Sequence, residues 1–433
     1  METNKSEIYI NQNKEKRYLK NLFNNFIISY LFFYTLTSLL GFVVIILFFD
    51  YVVDQWTSLD FIEQFIIFDL QMYFNFLSAP FLFLLFTIPN FYSLFVKLRS
   101  LTNLFSLSSL KLSWHSLYKI YLFTCISAFI ILLFLGIGNY GLLLDDPLVY
   151  RRIILTKVPY TLFNVIFFNI VYLIIPITSI SLYLDDLYRN KKVKLYSLKI
   201  ILIISSTLIV LFFTAQKSQI ILYLLSLFFC PILLPENKIK FNYNFIFNFI
   251  IGAISIPIIY YLISTFYYVK TINSSLQFYI LHPFFRMAAC IFGYFPNPPE
   301  LNANYYGGLG LLGYGILRGE SLDDGVRLGE IIYNDPDTNI SAAAQIRAFA
   351  LGGWHGYWLA LILLLLALLI IISRVRITSE NFLYFIPFTV YFVYYFNQGP
   401  ISDLILSSYN FILPYLLINN FFPYKKYKFK RKN

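Results

Sequence analysis

The stretch SSTLIVLFFTAQKSQIILYLLSLFF, residues 205–229, decides the class of this chain. Two apolar runs flank the polar segment Thr214 to Gln219, with a single cation, Lys217, inside it. Neither run shows the polar face that a helix on a water-exposed surface needs. The reading is therefore a tight helical hairpin in a bilayer, its lysine at the tip. An ammonium group there either snorkels to water and marks the turn, or faces a vestibule as an anion ligand, helped by the amides that open the second helix.

Working outward, the same texture covers most of the chain. Hydrophobic residues make up 59% of the 433, charged residues 13%, and the mean hydropathy is +0.68. Soluble domains carry about twice that charge. Apolar runs recur near 22–49, 72–94, 119–137, 158–184, 199–213, 219–235, 245–268, 354–373, 381–397 and 402–420, most of them long enough to cross a hydrocarbon core about 30 Å thick. The runs at 199–213 and 219–235 are short and read equally as one re-entrant or broken pair. The fold class expected is an all-α polytopic integral membrane protein of about ten transmembrane helices, with one large, partly helical extracytoplasmic loop. It divides into a membrane domain of seven spans at 1–269, the loop at 270–350, and three spans with a basic tail at 351–433.

Charge orients the bundle. With the amino terminus (Lys5, Lys14, Lys16, Arg17, Lys20) cytoplasmic, the inner segments hold 24 of the 33 lysines and arginines, including RNKKVK at 189–194 and KKYKFKRKN at 425–433. Asp50, Asp54, Asp60, Glu63 and Asp69 fall outside. This is the positive-inside asymmetry, with both termini cytoplasmic. The net charge of +11 then needs no nucleic acid as partner, since the tail suits anionic lipid headgroups. The first apolar run is too long for a cleavable signal and is expected to stay as a span. Three cysteines, Cys125, Cys230 and Cys290, lie in or near apolar segments and imply no disulfide framework.

Soluble-enzyme motifs are missing from the sequence. His115, His282 and His355 lack metal-ligand spacing, and GGLGLLGYG at 307–315 lacks the Lys-Ser/Thr of a phosphate-binding loop. No metal and no cofactor is expected. The acid pairs Asp145–Asp146, Asp185–Asp186 and Asp323–Asp324 read as solvated loop acids. Arg286 stands alone in LHPFFRMAACIFGYF at 281–295, where a guanidinium needs a carboxylate, a phosphate or an aromatic face. Arg347 precedes re-entry into the membrane and can reach the same vestibule. Arg318 and Arg327 sit among Glu320, Asp323, Asp324 and Glu330, so surface pairing suits them, and Arg151–Arg152 reads as a second surface pair. Tyrosines, asparagines and acids crowd NPPELNANYYGG and IIYNDPDTN, a composition that suits sugar rings or simply a folded outer loop.

Three segments together resemble the Wzy-type oligosaccharide repeat-unit polymerases. FFTAQKSQIILYLL is similar to that family's Thr-Gly-Ser-Arg-type hairpin, with Lys217 at the basic position. LHPFFRMAACIFGYF is similar to its arginine-bearing, aromatic-rich loop helix. NDPDTNISAAAQIRAFALGGWHGYW is similar to its Asn-Pro-x-x-Asn stretch and glycine-containing entry, with Gly352, Gly353 and Gly356 at the glycines. Lysine for arginine at 217 keeps the charge and loses the bidentate fork.

The resemblance implies a metal-independent glycosyltransferase that joins undecaprenyl-diphosphate-linked oligosaccharides into O-antigen or capsular polysaccharide. It implies the bacterial inner membrane, with the active site facing the periplasm or cell exterior. Lys217, Arg286 and Arg347 would bind the diphosphate, and Glu330, Asp337 or His282 would serve as base. A chain-length regulator and a flippase of the same pathway are the protein partners it suggests. An O-antigen ligase of the same superfamily, and a flippase or transporter for the lipid-linked unit, are the alternatives.

Overall fold

The computed structural model describes residues 2–35, 114–157, 167–189, 198–234 and 379–397, together with scattered positions between 43 and 79 and between 354 and 366. Among these residues the secondary structure is helical throughout, without a strand. We label the helices α1 (Glu2–Tyr34), α2 (Trp114–Gly136), α3 (Tyr140–Asp145), α4 (Pro147–Lys157), α5 (Ile175–Arg189, preceded by a π-helical turn Ile170–Ile174), α6 (Leu198–Phe213), α7 (Lys217–Phe229) and α8 (Ser379–Phe396). Residues 357–364 form a further helical stretch. The predicted runs 72–94, 245–268 and 402–420 and the loop 270–350 lie outside the described residues.

Among the described residues two helical stretches, Leu117–Gly136 and Phe167–Tyr188, are long and apolar enough to cross a membrane. The hairpin is two separate helices: α6 has 16 residues and α7 has 13, followed by a 3-10 turn Cys230–Leu233. At 1.5 Å per residue α6 reaches about 24 Å, short of a full hydrocarbon core.

α5 sits at the centre, against α2, α6, α7 and α8. Every residue from Leu173 to Leu184 is buried. Its π turn has a sequence cause. Pro176 has no N–H to give and its ring collides with the carbonyl four residues back, and a wider turn there relieves the collision. α1 runs alongside α8 in the same direction, with Tyr18 against Phe382 at the start and Phe33 against Tyr394 near the end. α7 runs opposite to α1, because Phe229 stacks on Phe32 while Leu233, further on, accepts from Asn25 Nδ2 at 3.0 Å.

α2 and α6 instead lie at the periphery. α2 turns Phe123, Ile126, Ile130 and Phe134 outward, Phe123 with 71% of its surface exposed, and α6 does so with Leu198, Ile201, Leu202 and Ile209. Such stripes cost free energy against water and none against lipid chains.

Several polar groups in the interior close on one another. Tyr121 Oη of α2 donates to the Ile203 carbonyl of α6 at 2.7 Å and lies 2.5 Å from Ser206 Oγ and 2.9 Å from Thr207 Oγ1. Ser179 Oγ of α5 meets Tyr223 Oη of α7 at 2.6 Å. Thr178, Ser181, Ser206, Thr207 and Thr389 each donate back to the carbonyl four residues earlier. That is how a hydroxyl is satisfied where water is absent. Asp185 and Asp186 correct the sequence reading: both lie half-buried within α5, on its last turns, instead of in a solvated loop.

Candidate functional site

Three helix ends meet at the hairpin turn. α6 ends with Thr214 N donating to Leu211 O at 3.1 Å and Ala215 N to Phe212 O at 2.9 Å. The chain then reverses through Ala215 at φ +53°, the one non-glycine residue in the left-handed region among the described residues. That conformation crowds a Cβ and costs an ordinary L-residue about 1–2 kcal/mol. The turn delivers Lys217 as the first residue of α7, where free amides and the helix dipole favour negative charge. The preceding residue, Gln216, makes no side-chain capping bond to these amides; its Nε2 points to Ser218 Oγ at 3.4 Å. The end of α8 joins the turn through Tyr395 Oη, which donates to Gln219 Oε1 at 3.0 Å.

α3 and α4 close the same end from the side. Asp146 caps α4, its carboxylate accepting from Val149 N at 3.2 Å with Pro147 at the first helical position, where its missing N–H costs nothing. Tyr140 packs edge-on against Phe213 at the end of α6 and donates to the Leu133 carbonyl. Lys157 Nζ donates to Leu135 O at 2.9 Å and Ile137 O at 3.2 Å, placing a cation at the negative end of α2. Gly136 makes the close approach possible: a Cβ there would lie 2.6 Å from both Tyr140 Cε1 and Tyr150 Oη. Burial pushes the Tyr150 phenol up to about 12, with neighbouring Tyr140 adding to it.

Next to Tyr150 stands Arg151, half-buried, with Nε shielded from solvent and without a hydrogen-bond partner. Its charge acts on the hydroxyl of Tyr172 in the π turn of α5. The Tyr172 hydroxyl is also shielded and unpartnered. Thr214 lies beside it without meeting hydrogen-bond geometry, its proton going to the Leu211 carbonyl at 2.6 Å. Spacing along the chain does not show this meeting, because residues 151, 172 and 214 come from three different elements. The one local signal was a pair of arginines following an Asp-Pro helix start.

Of the residues expected from sequence, Lys217 is placed by its backbone at the hairpin end. Arg286, Arg347, Glu330, Asp337 and His282 lie outside the described residues, as does the side chain of Lys217. His355 is exposed, at a helical position two residues before the stretch 357–364. Among the described residues no cluster of His, Cys, Asp and Glu is arranged to hold a metal. No known family, curated protein or solved structure matches this chain.

Proposed function

We propose that this chain is a polytopic membrane glycosyltransferase of the Wzy type, polymerising undecaprenyl-diphosphate-linked oligosaccharide repeat units at the outer face of the bacterial inner membrane. The observation that carries the proposal is the turn Thr214-Ala215-Gln216-Lys217. Ala215 adopts the left-handed conformation that a glycine would hold without strain at that place in a Thr-Gly-Ser-Arg hairpin, and the basic residue opens α7. Two helices among the described residues able to span a membrane, and a bundle stitched by internal hydroxyls, suit the polytopic arrangement, and the lysine and arginine asymmetry of the sequence suits cytoplasmic termini.

In the reaction, the glycosidic bond between the growing chain and its lipid diphosphate breaks, and a new carbon–oxygen bond forms to a hydroxyl of the incoming repeat. The hydroxyl proton passes to a base on the large loop, for which Glu330, Asp337 and His282 are the candidates. Negative charge grows on the departing diphosphate, and Lys217, Arg286 and Arg347 stabilise it.

The test is genetic. The gene is deleted in its native host and complemented with wild type, Lys217→Ala or Arg286→Ala, and the surface glycan is resolved by size. The expected outcome is loss of the ladder with survival of a single-repeat product, restored by wild type and by neither variant. Polymer accumulating on its lipid carrier would mean a ligase, and unpolymerised units trapped at the inner face would mean a flippase.

A further inference from the structure

We infer that Arg151 and Tyr172 form an anion-binding site at the hairpin end of the bundle, built for a phosphate group. Arg151 Nε and the Tyr172 hydroxyl are both removed from solvent, and neither finds an acceptor among the described residues. A buried donor without an acceptor is costly, and a guanidinium costs more than a neutral group. The π turn that carries Tyr172 packs against α2 and α6, and α2 also packs against α4, the helix of Arg151, whose charge reaches Tyr172. The nearby acid at the start of α4, Asp146, is engaged with Val149 N.

Other buried hydroxyls without partners, Ser29, Tyr150, Ser226 and Tyr391, are neutral. At Arg151 the missing component is an acceptor that also carries charge. A phosphate oxygen meets both needs, accepting from the planar guanidinium edge and from a phenol at once. The amide-rich start of α7, reached through Thr214, lies on the same side and adds its positive dipole end. The neighbouring Arg152 is exposed and outside the site.

The site stands without the polymerase reading, because binding is measured here without any glycan. The shared chemistry is a phosphate, either in a lipid headgroup or free. Full-length protein is placed in nanodiscs of phosphatidylcholine, with or without phosphatidylglycerol, and separately titrated with inorganic phosphate in the phosphatidylcholine discs. Binding is followed by thermal unfolding and calorimetry.

Wild type is expected to be stabilised by at least one of the two ligands. Stabilisation by phosphatidylglycerol alone assigns a headgroup, and by phosphate alone a free ion. Arg151→Ala should weaken that binding about tenfold or more, and Tyr172→Phe by a few-fold, the scale of one charge-assisted and one neutral hydrogen bond. Arg152→Ala should leave it unchanged. Should Arg151→Ala fail to fold, Arg151→Lys, which keeps charge without the fork, and Tyr172→Phe carry the test. Undiminished binding in the folded Arg151 and Tyr172 variants, or no binding of either ligand by wild type, overturns the site.

Discussion

A set of hydroxyls in the middle of the bundle and a pair of donors at its hairpin end meet opposite fates. In the middle, Tyr121, Ser206, Thr207, Ser179 and Tyr223 converge on one another or on backbone carbonyls across four helices. At the hairpin end, Arg151 Nε and Tyr172 Oη are just as hidden and have no acceptor. Low dielectric strengthens every bond that is made and penalises every one that is not. A closed layer therefore holds helices together, and an open set of donors is a place where something else can bind.

The largest expected effect breaks the open end. At Gly136 any larger residue collides with Tyr140 and Tyr150, the residues that hold α3 and α4 against α2. Gly136→Val should destabilise the protein by about 1–3 kcal/mol, the usual cost of overpacking. It should also shift α4 and carry Arg151 away from Tyr172. Thermal unfolding in detergent, compared with phosphate-protected unfolding, checks both. A variant as stable as wild type with full protection would show that the close approach positions nothing.

The closed layer is tested by Tyr121→Phe, which removes the hydroxyl joining α2 to α6 and leaves the ring in place. Bonds of this kind inside membranes average about 0.6 kcal/mol and reach about 1.7. Loss within that range, without change in phosphate binding, keeps the two regions distinct. An effect on binding as large as that of Arg151→Ala would merge them.

What the sequence disclosed follows the same division. Continuous apolar runs bounded by polar residues placed α2, α6 and α8 to within a few residues: 119–137 against Trp114–Gly136, 199–213 against Leu198–Phe213, 381–397 against Ser379–Phe396. Hydrophobic length is a one-dimensional signal and survives translation into structure. α1 begins at Glu2, well before the apolar run at 22, because its polar first half has helix propensity and no hydropathy to betray it. Asp146-Pro147 was a legible helix start that loop polarity obscured. Arg151 looked like half of a surface pair because its counterpart is a tyrosine on another helix, brought near by the Pro176-driven π turn and by Gly136. Contacts between distant elements leave no period in a sequence. Lys217 was placed by its turn. Arg286 and Arg347, read from an apolar setting and from a place before membrane re-entry, and the three candidate bases, implied by the resemblance, lie outside the described residues.

A smaller effect sharpens the turn that joins the two regions. Ala215→Gly removes the crowding at φ +53° and adds freedom to the unfolded chain, so the two changes largely offset and the net gain should be below about 1 kcal/mol. Ala215→Val should lose stability instead, since a β-branched side chain tolerates that conformation worse. If valine were neutral and glycine destabilising, Ala215 would not be the pivot of the hairpin.

The smallest expected change in stability belongs to Tyr172→Phe, and it separates the two regions most cleanly. Tyr121 and Tyr172 both keep their hydroxyls out of solvent, on helices read as crossing a membrane, so loss of the hydroxyl is the same chemical change at each. At Tyr121 a made bond disappears. At Tyr172 the hydroxyl has no partner, so its removal relieves an unmet desolvation cost and stability should stay level or rise slightly. The sign should reverse when phosphate is present, because the hydroxyl then has an acceptor and phenylalanine forfeits it. Unfolding both variants with and without phosphate gives four numbers. If neither phosphate nor phosphatidylglycerol changes the ordering, Tyr172 belongs with the closed layer, and the open end has no ligand.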